Sequence, residues 1–172
     1  LVANTLTLTG CGTLVSGGLD LNKANSKLLL NSITVDSVST TVDNSLGVDV
    51  DNDSTITSLS VANITPVAIA SGSSLSGGIT VTAGSLKLTE AGTLASSVSM
   101  SGGVLDADES STVSGALSHT ADITIDVADT KPLTYTGTAI SLGANTLTLS
   151  GGGNLVSGGL TLNDTSSKLL LN

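Results

Sequence analysis

Three aspartates at alternate positions, Asp49, Asp51 and Asp53 in the run D-V-D-N-D, with Asp43 shortly before them, are the densest group of potential ligands in the chain. Closely spaced carboxylates suit Ca²⁺, a hard cation that takes oxygen ligands. The run does not complete a calcium loop. Counted from Asp49, the sixth position of an EF-hand would be Ser54 rather than Gly, and the twelfth Ser60 rather than Glu. Gly151-Gly152-Gly153-Asn154 lacks the Asp of a glycine-rich calcium repeat. Asp49 also alternates with Val48 and Val50, so it should point outward from a strand. The first expectation is a solvated acidic corner. A weak Ca²⁺ site at Asp49, Asp51 and Asp53 is the second, and calcium is the only cofactor these residues suggest.

A second acidic group is Asp106, Asp108 and Glu109, with Lys87 and Asp126 about one structural unit to either side. It reads as a mixed surface ladder with a Lys87–Asp106 pair. His119, Tyr135 and Cys11 are each alone in their type, and the chain has no Arg, Phe or Trp. Without Arg there is no bidentate clamp for carboxylate or phosphate. With a single aromatic ring, Tyr135, there is no platform on which bases could stack. Nothing resembles a nucleophile with its base, so the expectation is a non-enzyme. His119 reads as a surface side chain. Cys11 reads as a free thiol near a turn, since a single Cys cannot close a bridge within the chain. The net charge of -9 opposes a nucleic-acid partner. No apolar run approaches the length of a membrane-spanning helix.

The elements that must carry these residues repeat. Residues 3–31, ANTLTLTGCGTLVSGGLDLNKANSKLLLN, return at 144–172 as ANTLTLSGGGNLVSGGLTLNDTSSKLLLN, an offset of 141 with 22 of 29 positions identical. Every Leu and Val from Leu6 to Leu30 is kept, so both copies should fill the same packed environment. Inside the long repeat, alternating apolar pairs recur at Leu6/Leu8, Leu28/Leu30, Val48/Val50, Val67/Ile69, Leu86/Leu88, Leu105/Ala107, Ile125/Val127, Leu147/Leu149 and Leu169/Leu171, with steps of 19 to 22 residues. Seven such units make the 141.

Each unit holds short period-2 runs separated by Gly, Ser, Asn and Asp, as strands and corners require. Helical spacing is rare. The prediction is an all-β, right-handed parallel β-solenoid with about 20 residues per rung and three short strands per rung. It runs as one continuous segment over 1–172, about eight and a half rungs, with no internal domain boundary. Aliphatic side chains stacked rung on rung would form the core. Ser and Thr are 52 of the 172 residues and charged residues only 11%, which suits a coil with half of every strand facing inward. A narrow coil also leaves little room for rings. The rival fold is a β-sandwich of tandem immunoglobulin-like domains. The 19–22-residue period and the lack of a core Trp speak against it.

The stretches TLTLSGGGNLVSGGLTLNDTSSKLLL and GSLKLTEAGTLASSVSMSGG resemble the passenger regions of bacterial autotransporters and filamentous-haemagglutinin-like exoproteins. The resemblance covers essentially the whole chain and implies a right-handed β-helix, secretion to the cell surface or beyond, and a role as stalk, adhesin or fibre. The short rungs and regular long repeat resemble a filament-forming protein more than a usual passenger. The chain opens at Leu1 in mid-pattern and stops at Asn172 in phase with Asn31. This predicts a window on an array of 141-residue repeats, or a subunit that stacks end to end, with the chain itself as its principal partner. The leading expectation is therefore a structural protein of an extracellular fibre or cell-surface filament. An adhesin stalk whose binding domain lies outside this window comes second. A calcium- or carbohydrate-binding surface protein, with a host surface as partner, comes third.

Overall fold

Alternation sets the strands, and glycine, serine or asparagine turns end them. The computed structural model describes residues 4–14, 18–41, 46–52, 54–63, 65–70 and 74–172. Among these there is no helix. In chain order the strands are β1 (Thr5–Thr9), β2 (Thr13–Leu14), β3 (Leu19–Leu21), β4 (Lys27–Asn31), β5 (Thr34–Thr40), β6 (Val48–Asp51), β7 (Thr55–Val61), β8 (Thr65–Ile69), β9 (Ser74–Val81), β10 (Ser85–Leu88) and β11 (Thr93–Leu94). They continue as β12 (Ser97–Met100), β13 (Val104–Ala107), β14 (Ser111–Val113), β15 (Leu117–His119), β16 (Ile123–Val127), β17 (Pro132–Tyr135), β18 (Ile140–Ser141), β19 (Thr146–Ser150), β20 (Asn154–Ser157), β21 (Leu160–Thr161) and β22 (Lys168–Leu171).

Every pairing is parallel and joins one turn of the coil to the next. One face is a nine-stranded sheet in the order β1-β4-β6-β8-β10-β13-β16-β19-β22. The second carries the path β2-β5-β7-β9-β11-β14-β17-β20, from which β3, β12 and β15 branch to form the third face. The fold is a parallel β-solenoid of about eight turns. At about 4.8 Å per strand, nine strands span about 38 Å. In three consecutive rungs the second and third strands run on as one, in β5, β7 and β9. The corner is visible in the burial pattern: Val35 and Val38, or Ile56 and Leu59, are buried three residues apart instead of two.

The core is the predicted aliphatic column, with Leu28, Leu30, Val48, Val50, Val67, Leu86, Leu88, Leu105, Ile125 and Leu147 buried along the nine-stranded face. Leu6 stands over Leu28 and Leu8 over Leu30, as the period requires. Two junctions depart from the predicted register. Val67 pairs with Leu88 and Thr65 with Leu86, and Leu149 pairs with Ile125 and Leu147 with Ile123. Both shifts are of two residues, which leaves the inward set inward. β8 and β16 each offer three inward positions, so alternation alone does not choose between two registers. Thr65 enters the core as a result, and its Oγ1 donates to Thr40 Oγ1 at 2.8 Å.

The expectation that rings are excluded also needs correction. Tyr135 lies in the core, 3% exposed. Its hydroxyl donates to the Thr138 carbonyl at 2.6 Å and accepts from the Leu117 amide at 3.0 Å. Gly137 makes the space, since a Cβ there would lie 2.6 Å from the phenolic oxygen.

Candidate functional site

Outward side chains of the nine-stranded face stand in rows along the coil axis, because each strand sits in register over the last. This is where the chain's charges meet. Asp49 lies on β6 between Leu29 and Ala68 of the neighbouring strands. Lys27, diagonal to it on β4, reaches its carboxylate at 3.1 Å. Asp51 follows two residues later on the same outward side, opposite Asn31. Asp53 and Asp43 lie outside the described residues. Among the described residues no three His, Cys, Asp or Glu side chains come together closely enough to hold a metal. The first carboxylate of the D-V-D-N-D run is thus engaged by an ammonium group. That contact is a diagonal one between strands.

The second cluster assembles as predicted and more fully. Lys87 stands opposite Asp106, and Asp106 opposite Asp126. The Lys87 ammonium contacts Asp106 at 3.0 Å and Asp108 at 3.2 Å. Burial raises the Asp106 pKa above the usual carboxylate value, while the hydrogen bond and charge of Lys87 oppose that shift. The hydrogen bond to Asp106 raises the Lys87 pKa, against the desolvation that lowers it. Asp126 faces a hydroxyl on its other side, Ser150 Oγ donating to it at 2.6 Å. Around the corner Lys131 Nζ donates to Glu109 Oε2 at 2.6 Å. Three lysines thus pair with four carboxylates of neighbouring rungs, in a chain that keeps a net charge of -9.

The single residues fall as follows. Cys11 is exposed at the turn after β1. His119 is not the surface side chain its isolation suggested. It is half-buried, in register with buried Met100 of the rung below. Its Nδ1 lies 3.0 Å from the Ala121 carbonyl, while its buried Nε2 has no hydrogen-bond partner. Its parity with Leu117, two residues before it, was the signal for an inward position.

The remaining feature is the last turn. Among the described residues β22 pairs with β19, and Leu171 is 73% exposed there. Beside it Leu147, Leu149, Leu155 and Leu160 line a shallow apolar hollow. Comparison with protein-family models, with curated proteins and with solved structures finds no match to this chain.

Proposed function

We propose that the chain is a non-enzymatic structural segment of an extracellular fibre or cell-surface filament. The observation that carries the reading is the continuous nine-strand parallel ladder closed over a single aliphatic column. Each rung depends on its neighbours for burial, so repeating the unit lengthens a stiff rod without needing a new core. Four ion pairs link the outward faces of neighbouring rungs, which suits a surface whose task is to persist. The resemblance to autotransporter passengers and filamentous-haemagglutinin-like exoproteins supports export and a place at the cell surface, and the single thiol fits an exported repeat.

Electron microscopy of the purified chain over a range of concentrations tests this. Long, unbranched filaments of one coil's width are expected, with trypsin sparing Lys87 and Lys131. Single particles at every concentration, or cleavage of an acidic polysaccharide, would overturn the reading. Chelation is the discriminating control for calcium. EDTA should leave the melting temperature unchanged, whereas a fall of several degrees that Ca²⁺ restores would favour a metal site at Asp49, Asp51 and Asp53.

A further inference from the structure

The third face of the coil repeats a short pattern. Residues 37–39, 58–60, 78–80, 97–99 and 116–118 read SVS, SLS, GIT, SVS and ALS. Their middle residues, from Val38 to Leu117, are buried, so the residues that flank them point outward. The third positions keep one unbroken register: Ser39 pairs with Ser60, Ser60 with Thr80, Thr80 with Ser99 and Ser99 with Ser118. Strands lie about 4.8 Å apart, and alternate residues of a strand about 6.7 Å apart, so the outward positions mark out a regular grid. Ser39 donates to Asp20 at 3.2 Å at one end of the column. The hydroxyls of Ser60, Thr80, Ser99 and Ser118 make no hydrogen bond within the protein among the described residues.

Charge is kept off this grid. No strand of the second or third face from β7 to β21 contains Asp, Glu or Lys, while the first face carries Lys87, Asp106 and Asp126 over the same rungs. In a chain of net charge -9, this side is therefore neutral, and its only polar groups are hydroxyls and backbone.

We propose that the third face adsorbs to ice. A soluble ligand is held in a concave site that encloses most of its surface, and a flat grid of short side chains encloses nothing. The partner that fits is itself flat, extended, uncharged and rich in hydrogen-bond donors and acceptors. Among such solids, a crystalline polysaccharide offers sugar rings that call for aromatic platforms, and the one ring of this chain, Tyr135, lies in the core. Ice needs hydroxyls alone. Each hydroxyl exchanges a bond to liquid water for one to ordered water, so its net gain is small. The grid makes many such exchanges together and has little to order in doing so. The buried column beneath it fixes the backbone, and Ser and Thr lose far less rotamer freedom than Lys or Glu would. The inference goes beyond the fibre reading and does not depend on it, since one coil or a filament would present the same face.

Thermal hysteresis and partition into slowly growing ice, measured on the purified chain, test it. The chain should be enriched in the ice fraction and should open a gap between melting and freezing points that widens with concentration. Thr80→Lys and Ser99→Lys each place a long, strongly hydrated group on the grid and should lose most of the gap, with the thermal melt unchanged. Ser60→Thr combined with Ser99→Thr fixes two hydroxyls on stiffer side chains and should widen it. Thr148→Lys, on the first face, should leave it as it was. The absence of a gap, or a gap that lysine on the grid does not reduce, overturns the proposal. So does retention on crystalline cellulose without enrichment in ice, which would assign the face to a neutral glycan. Filaments without ice activity would sink this inference and leave the fibre reading standing.

Discussion

Thr130 adopts a φ of 65°, a left-handed conformation that β-branched residues rarely take. It stands at the corner after β16, as Gly151 with φ 88° stands after β19 and Asn52 with φ 49° after β6. The corner demands the conformation, and Thr130 meets it at a steric cost of about 1–2 kcal/mol. Thr130→Asn should therefore stabilise the protein by about 0.5–1 kcal/mol, since Asn tolerates this region. Urea denaturation of the variant would show it, and a loss of stability would mean that the Thr130 side chain contributes more than its backbone strain removes. Asp106 and Lys87 allow a prediction with a pH sign. Because the folded-state pKa of Asp106 is raised, the folded chain binds that proton more readily than the unfolded one. Its charged form disfavours folding at neutral pH, and this penalty fades as pH falls toward the ordinary carboxylate value. Asp106→Asn should thus be neutral or slightly stabilising at pH 7, with Asp108 still holding Lys87, and the advantage should vanish near pH 4. Lys87 has the opposite sense. Its raised pKa gives stability that is fully present below 10.5 and lost as pH rises beyond the folded-state value. Lys87→Met should cost about 1 kcal/mol at pH 7 and nothing once the native lysine is deprotonated. Denaturation midpoints across pH check both signs.

Between strands, the corners decide what can stack. A Cβ on Gly115, between β14 and β15, would lie 1.8 Å from the Ser96 carbonyl oxygen of the rung below. One on Gly137, in the next rung, would lie 2.4 Å from the Gly115 oxygen. This corner is a column of backbones in contact. Gly115→Ala should cost about 1–3 kcal/mol through forced separation of the rungs. Gly12→Ala, with nothing within 4 Å, should change stability by less than about 0.5 kcal/mol. Thermal melts of the two variants measure the contrast, and equal effects would refute the close-packed corner. Such corners also mark how far the sequence can be read. The period, the parity of each apolar pair and the stacking of Lys87, Asp106 and Asp126 follow from side chains alternating across a strand. The two-residue shifts at β8/β10 and β16/β19 do not, because they preserve that parity and are decided by corners and by the other faces. The Lys27–Asp49 contact was hidden for a related reason: it runs diagonally between strands, where rung alignment compares only direct neighbours. Tyr135 shares the parity of Leu133, two residues before it, which marks it as inward; what alternation does not record is the space for its ring, made by the absence of a side chain at Gly137.

Along the molecule, stability is shared between neighbours: among the described residues every strand pairing joins one rung to the next. Among the described residues the middle rungs have partners on both sides, and β1 and β22 on one side. A side chain of the same type should therefore matter according to its place along the axis. Leu86, fully buried in β10, touches core above and below, whereas Leu169 is only partly buried in the last strand. Leu86→Ala should cost about 2–5 kcal/mol, with a cavity left inside the column. Leu169→Ala should cost less than half as much, because the last rung can relax or fray without disturbing β10. Hydrogen exchange reads the same gradient without mutation: amides of β10 and β13 should be the slowest, and protection should fall toward β1 and β22. Uniform protection in the monomer would mean that the coil unfolds as one block, and the additive, rung-by-rung account of its stability would then fail.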